Sequence, residues 1–296
     1  MIKTISPKDV SVADFHSYFL SAVAPRPIAF ASTIDKDGNI NLSPFSFFNA
    51  FGANPPILIF SPARRVRDNT TKHTLENVKE VGEVVINIVN YAMVEQTSLA
   101  STEYDKGVNE FVKAGFTQVT STLVKPPRVG ESPVAFECKV LQIIETGTGG
   151  GAGNLIICEV VLAHIKEDIL DEKGKIDTRK IDLVGRMGGE WYCRANGDAL
   201  FEIPKPLLTK GIGIDQLPSF IKNSSVLTGN NLGRLANVEQ LPSDDEIQNF
   251  DDVDTKHIMN TVSASDLQNA LHKHAQKLLE QGKIREAWLT LMQQKN

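Results

Sequence analysis

Short apolar runs separated by turn residues fill the first two-thirds of the chain. The runs over 28–34, 57–60 and 84–89 have the length and the β-branched content of buried strands. Two longer runs, over 134–145 and 155–166, are joined by the glycine-rich connector GTGGGAGN. Several strands with glycine-rich turns and few long helices predict a mainly β fold, namely a β-barrel with helical decorations.

Local signals specify one turn and one helix in this region. Asp37-Gly38 predicts a type I′ hairpin turn, because both central positions of that turn need positive φ, and residues 39–46 then form the return strand. Thr74 is predicted to cap a helix that begins there. Gly82 is predicted to end that helix in the left-handed conformation.

The sequence changes character after Phe201. Proline and glycine punctuate residues 202–218, and apolar positions at helical spacing follow between 267 and 292, after a start at Ser263 or Ser265. We therefore predict a domain over 1–206 and a partly helical C-terminal extension over 207–296. The extension would pack on the barrel as a cap or on a dimer partner as an arm, and it contains no identifiable catalytic set.

Composition excludes some classes of function. The formal charge of −5 argues against a nucleic-acid partner, which would need a basic face. No apolar stretch is long enough to cross a bilayer, and the first residues lack an apolar signal region, so a cytoplasmic protein is expected. Three widely spaced cysteines and six scattered histidines give no metal motif, and no metal is expected.

The glycine-rich connector needs a second test, because its spacing formally matches a dinucleotide-binding fingerprint. That fingerprint requires a strand before it and a helix N-terminus after it, to hold a pyrophosphate. The residues that follow, 155–162, read as a strand. A flexible hairpin connection is favoured, and a Rossmann domain is rejected.

Two neighbouring motifs carry the best candidate chemistry. The segment LSPFSFFNAF combines small polar side chains with phenylalanines, as a ligand-binding segment would. A buried strand with caps fits the same pattern. The loop ARRVRDNTTKHT gathers Arg64, Arg65, Arg67 and Lys72 beside a predicted helix N-terminus. Positive charge plus free N–H groups predicts an anion site, although a solvated arginine-rich loop fits the same pattern.

The order of these motifs, from Pro25-Arg26-Pro27 through LSPFSFFNAF to Lys72-His73-Thr74, resembles the flavin reductase-like proteins of the FMN-binding split-barrel superfamily. The resemblance extends to about Arg194. The family's loop usually ends in Lys-Asp-Thr, so His73 replaces its carboxylate here. The resemblance implies a split β-barrel that binds FMN, with NADH or NADPH as the electron donor.

The resemblance also implies a set of cofactor-binding residues. The phosphate would meet Arg65, Lys72 and Thr74 together with Ser46, and the run VGRMGGEWYCR would border the ring or else form a turn with a packed aromatic. No catalytic residue is assigned, because the cofactor itself carries the chemistry. The implied residues are Arg26, Pro27, Ser43, Phe45, Ser46, Phe47, Phe48, Asn49, Arg65, Lys72, Thr74 and Arg186.

The expected activity is NAD(P)H-dependent flavin reduction by a homodimer with the flavin near the subunit interface. A flavoredoxin-like electron carrier and a flavin-binding module without turnover fit the same sequence. The acidic balance would suit docking to a basic redox partner protein.

Overall fold

A computed structural model describes residues 1–295 and divides the chain into two compact units. The first unit is Met1–Phe201, and the second begins at Glu202. Residues 202–210 between the last strand and the first helix of the second unit are all exposed. Each unit has its own hydrophobic core.

The first unit contains eleven strands and four α-helices. In chain order its elements are α1 Val12–Ala22, β1 Ala29–Ile34, β2 Ile40–Phe45, β3 Phe48–Ala53, β4 Pro56–Phe60, α2 His73–Val81, β5 Glu83–Ile88, α3 Val94–Leu99, α4 Glu110–Ala114, β6 Gln118–Val119, β7 Arg128–Val129, β8 Val134–Glu145, β9 Asn154–Ile165, β10 Val184–Arg186 and β11 Tyr192–Arg194.

Seven of these strands form one antiparallel sheet in the order β2-β1-β5-β8-β9-β4-β3. The strands β2 and β3 lie at opposite edges of that order, yet only Ser46 and Phe47 connect them. The sheet must therefore curl until its two edges approach each other, which produces the predicted barrel.

Alternation along β1 gives the barrel two cores. Ala29 and Ala31 face the interior with Phe60 and Ile86. Phe30 faces the opposite side, where it packs with residues of α4 and meets the ring of Phe116 at a centroid distance of 5.2 Å. Successive side chains of a strand point to opposite faces, so one strand serves both cores.

The predicted type I′ turn is wrong. Ile34 pairs with Ile40, so the loop has five residues, and of the predicted pair only Gly38 has a positive φ, of 91°. The carboxylate of Asp35 accepts hydrogen bonds from the N–H groups of Asp37 (2.9 Å) and Asn39 (2.8 Å). This side-chain cap stabilises the longer loop in place of the two-residue turn.

The predicted cap of α2 is also wrong. The helix begins at His73, and Lys72 stands at the N-cap without a side-chain hydrogen bond. Thr74 lies in the first turn with its hydroxyl buried, where it donates to Asn41 Oδ1 at 2.7 Å. The C-terminal prediction is confirmed, because Gly82 follows the helix at φ 70°.

Two elements near the predicted site were not predicted from the sequence patterns. The segment 48–53 forms β3, paired with β4, although it has no apolar alternation. Helix α1 begins after Ser11, whose hydroxyl accepts from Asp14 N at 3.0 Å. No residue of α1 is fully buried, so its weak amphipathic pattern gave little signal.

The second unit is helical. Its helices are α5 Ser219–Lys222, α6 Gly229–Ala236, α7 Asp244–Gln248, α8 Val253–Thr261, α9 Leu267–Glu280 and α10 Ile284–Met292. Ser243 caps α7 as a capping box with Glu246. The start of α9 differs from prediction, because Asp266 is its N-cap and the hydroxyls of Ser263 and Ser265 bond to that carboxylate instead.

The apolar faces of these helices pack against one another. Leu235, Leu279 and Leu291 are fully buried in one cluster with Trp288, whose Nε1–H donates to Leu235 O at 3.0 Å. The unit thus buries its own apolar side chains, and docking of the extension on the barrel or on a partner stays a prediction. Among residues 1–295 no helix combines the length and apolar character that a membrane crossing would need.

Candidate functional site

Two adjoining cavities lie where β2 ends and the basic loop begins. The larger has a volume of about 250 Å³, and the smaller lies against the loop. Both are lined by Ser43, Lys72 and Ser101. The larger cavity is also lined by His16, Leu20, Pro44, Phe45, Ser46, Phe47, Ser61 and Ala63. The predicted Ser/Phe segment and the predicted basic loop therefore meet at one place.

The two phenylalanine side chains that line the larger cavity differ in how far they are buried. Phe45 is buried in the barrel core, with its ring 5.6 Å from that of Phe60. Phe47 is 39% exposed, and its ring lies 6.0 Å from that of His16 on α1. One ring is thus fixed by the core, while the other presents an apolar surface that a flat ligand can contact.

Three cations of the basic loop converge on a single carboxylate. Arg65 Nε lies 2.8 Å and Lys72 Nζ 3.1 Å from Glu103 Oε1. Arg67 Nη2 lies 2.6 Å from Glu103 Oε2. The hydrogen bonds from Arg65 and Lys72 lower the pKa of Glu103 to about 2. The geometry therefore holds an anion at a defined point of the loop.

The backbone of the loop is held by the glycine-rich connector between β8 and β9. Arg64 N donates to Ala152 O at 2.9 Å, and Gly151 N donates to Arg64 O at 3.0 Å. A Cβ on Gly150 would lie 2.9 Å from Val66 O, so only glycine permits this approach. The connector that resembled a nucleotide fingerprint instead supports the basic loop, and the rejection of a Rossmann domain is confirmed by the strand β9 that follows.

A buried polar network lies beneath the smaller cavity. Thr74 Oγ1 donates to Asn41 Oδ1, and Asn41 Nδ2 donates to Glu110 Oε1 at 2.7 Å. Glu110 Oε2 accepts from Leu42 N at 2.9 Å. Burial raises the pKa of Glu110, which is only 4% exposed. The network ties α2, β2 and α4 together, and it occupies the hydroxyl of Thr74 that the resemblance assigned to a ligand.

Arg26 links separate backbone segments through the hydrogen bonds of its side chain. Its guanidinium donates to Leu20 O, to Val23 O at 2.8 Å and to Met187 O at 2.9 Å. Its Nε lies 3.3 Å from Ser46 Oγ. Arg26 is 5% exposed, and desolvation lowers its pKa. Its cation thus caps the C-terminal carbonyls of α1 and orients Ser46 at the cavity.

The remaining predicted residues lie apart from the two cavities. Pro27 is exposed two residues before the start of β1, and Phe48 packs partly against the barrel core. Asn49 is exposed, and its side chain accepts from Ala50 N at 2.8 Å. Arg186 lines a third cavity of about 480 Å³, where its guanidinium lies 4.5 Å from the ring centroid of Tyr192.

The sequence patterns missed several lining residues. His16 and Leu20 come from α1, whose pattern was too weak to predict, although Ser11 followed by Asp14 is a recognisable helix start. Ser61 and Ser101 carry no distinguishing motif. Glu103 lies 31 residues from Lys72 and 38 from Arg65, so only the fold reveals that it meets them.

Comparison with known proteins places this geometry in a family. The family model described as flavin reductase like domain matches residues 21–180. An uncharacterized protein of Aquifex aeolicus is 37% identical over 66% of this chain and 97% of its own length. The second unit lies outside the residues that the family model matches.

Solved structures agree with the match. Nitrilotriacetate monooxygenase component B from Bacillus cereus has a TM-score of 0.64 and 27% identity, over 69% of this chain and 99% of that one. The 2-nitrobenzoate 2-nitroreductase from Pseudomonas fluorescens has a TM-score of 0.61 and 27% identity, over 71% of this chain and all of that one. The curled sheet, the adjoining cavities and the family match lead to one conclusion: this chain belongs to the flavin reductase-like family and has its split-barrel fold.

Proposed function

We propose that the protein binds FMN in the two adjoining cavities and reduces it with NADH or NADPH. The observation that carries the proposal is that a cavity lined by both phenylalanine rings and hydroxyl groups adjoins, at Ser43 and Lys72, a cluster of cations. FMN has the same two parts, a flat ring and a phosphate. The convergence of three cations on Glu103 supports a phosphate site, because it marks a position where this chain already holds an anion.

Each part of the site has a distinct task in this proposal. Arg65 and Lys72 would bind the phosphate. Ser46 lines the larger cavity and not the smaller one, so it would leave the phosphate group of residues and join Ser43 in donating to the ring or the ribityl chain. Phe47 would cover the apolar end of the ring. Bound FMN would supply the chemistry by accepting a hydride from the nicotinamide, and these residues would orient it and hold its charge.

We further propose that the protein works as a homodimer. The edge strand β3 has an unpaired outer edge among the described residues, and Phe51 on it is 64% exposed. An exposed apolar edge strand beside a binding site favours association with a second copy. Light scattering on the purified protein at several concentrations tests this, and a monomer throughout would reject it.

Flavin binding is tested by titrating the apo-protein with FMN and following the quenching of flavin fluorescence. We expect saturable, near-stoichiometric binding. An absence of binding at tens of micromolar, a very weak affinity for a cofactor, would reject the proposed function.

Turnover is tested separately by anaerobic stopped-flow measurement of flavin bleaching. A reductase should bleach rapidly with NADH or NADPH and turn over repeatedly when free flavin or oxygen is the acceptor. A flavoredoxin-like carrier should bleach slowly with both nucleotides and rapidly with a reduced protein donor. A protein that binds FMN but shows neither reaction would be a binding module.

A further inference from the structure

Glu103 stands at the centre of the cation cluster. Both of its carboxylate oxygens are used, one by Arg65 and Lys72 and the other by Arg67. Two of these cations, Arg65 and Lys72, are the groups to which the proposed function assigns the phosphate. A ligand phosphate cannot make those contacts while the carboxylate makes them, because both anions need the same N–H donors.

The two anions differ in charge and in number of oxygens. A carboxylate brings one negative charge and two oxygens, whereas a phosphate monoester brings nearly two charges and three strong acceptors at neutral pH. The low pKa of Glu103, about 2, keeps its carboxylate charged at every physiological pH. The phosphate has the stronger attraction, but Glu103 is tethered nearby and has a high effective concentration.

The position of Glu103 in the fold allows it to leave. It lies between α3 and α4 in a segment without regular structure, and its side chain is 36% exposed. Glu110, only seven positions later, is 4% exposed on α4 and bonds to Asn41 and Leu42. Moving Glu110 would break the buried network, whereas moving Glu103 breaks only contacts that a phosphate can replace.

We infer that Glu103 is an internal competitor for the phosphate site, and that it sets how strongly the protein prefers FMN to riboflavin. The inference rests on the proposed function. FMN binding requires the carboxylate to leave the cations. The observed affinity for FMN is therefore the intrinsic affinity multiplied by the fraction of molecules in which the carboxylate has left. Riboflavin has no phosphate and does not compete with Glu103, so its affinity escapes this reduction.

The test compares the dissociation constants of FMN and riboflavin in the full chain and in Glu103→Gln. Loss of the carboxylate should tighten FMN roughly tenfold or more, the scale of one charge-assisted hydrogen bond removed from the competitor. Riboflavin should change by less than about twofold, within the usual effect of a surface substitution. Glu145→Gln is the matched control, because it removes the same charge from an ion pair with Lys79 outside the cluster.

A second variant separates displacement from simple charge repulsion. Glu103→Asp keeps the charge but is one methylene shorter, so its carboxylate cannot reach all three cations. Displacement predicts tighter FMN binding in this variant too, whereas repulsion alone predicts the wild-type value. Inorganic phosphate gives a readout independent of flavin, since it should raise the melting midpoint of Glu103→Gln more than that of the wild type.

The outcomes distinguish the inference from the proposed function. Unchanged or weaker FMN binding in Glu103→Gln, or an equal shift for both flavins, would overturn the inference and make Glu103 an organiser of the cations. If the wild type and both variants bind neither flavin, the proposed function is rejected, and the response to inorganic phosphate alone decides whether Glu103 competes for the anion site.

Discussion

The two units of this chain differ in where their polar side chains lie. In the split barrel, charged and hydroxyl side chains gather at one end of β2, next to cavities and partly open to solvent. In the helical unit, the largest buried side chain is Trp288, and its single polar atom is satisfied by Leu235 O. A concentration of polar groups around open space indicates binding, whereas an apolar core packed around the indole of Trp288 indicates a structural role.

The substitution with the largest expected effect disrupts the core of the helical unit. Trp288→Ala removes a side chain with no exposed surface and should cost about 3–5 kcal/mol of unfolding free energy. We expect an early melting transition by circular dichroism, with FMN binding by the barrel retained. Trp191→Ala is the matched control, because Trp191 is 78% exposed and its loss should hardly move the melt.

Loss of FMN binding in Trp288→Ala would contradict this prediction. It would mean that the barrel depends on the helical unit, and that the contrast between a binding unit and a structural unit is too simple.

The next largest effect concerns the ligand. Lys72→Ala removes a cation that lines both cavities and should weaken FMN by about 1.5–3 kcal/mol, the value of a charge-assisted hydrogen bond. Riboflavin should bind nearly as before, because it lacks the phosphate. Fluorescence titration with both flavins measures the difference. Equal weakening of the two ligands would place Lys72 elsewhere in the site or make its role one of folding.

A smaller effect is expected from the buried network that supports the site. Glu110→Gln leaves one of the two donors, Asn41 Nδ2 or Leu42 N, facing an amide N–H₂ group. The lost acceptor should cost about 1–3 kcal/mol of stability. Chemical denaturation of the barrel measures this, with the exposed Glu172→Gln as control. An unchanged midpoint would show that the network rearranges without cost.

The smallest effect depends on pH and belongs to the helical unit. His272 Nδ1 lies 2.7 Å from Ser224 Oγ, and its Nε2 is buried with no hydrogen-bond partner within residues 1–295. Burial lowers the pKa of His272 below its ordinary value of 6.5. The unfolded chain therefore takes up a proton more readily than the folded unit. Stability should be complete above pH 6.5 and fall as the pH decreases through the lowered pKa, by at most about 1.4 kcal/mol per pH unit.

Thermal melts between about pH 5 and pH 8 check this dependence, a range in which histidine titrates. His272→Gln should flatten the curve for the helical unit, whereas His257→Gln, at an exposed position, should leave it unchanged. A wild-type midpoint that does not fall in acid would contradict the prediction.

Local patterns determined much of the first unit. The strands β5, β8 and β9 lie within a residue or so of their predicted positions, because each is a run of apolar residues bounded by turn residues. Gly82 ends α2 as predicted, since its left-handed backbone favours glycine. The meeting of Ser43 and Ser46 with the basic loop followed from a family resemblance rather than from the pattern, because nothing local brings residue 43 near residue 72.

Only the tertiary structure decided which groups face one another. The sequence gives Arg65, Arg67 and Lys72 a shared loop, but Glu103 reaches them across at least 31 residues through the packing of α3 and α4. Thr74 is a residue type that often caps helices and was predicted to do so, yet in the fold its hydroxyl is buried and donates to Asn41. Periodicity and turn chemistry act over a few residues and can be read along the chain. Side-chain pairing depends on the curl of the sheet, which arises only when every strand has found its partner.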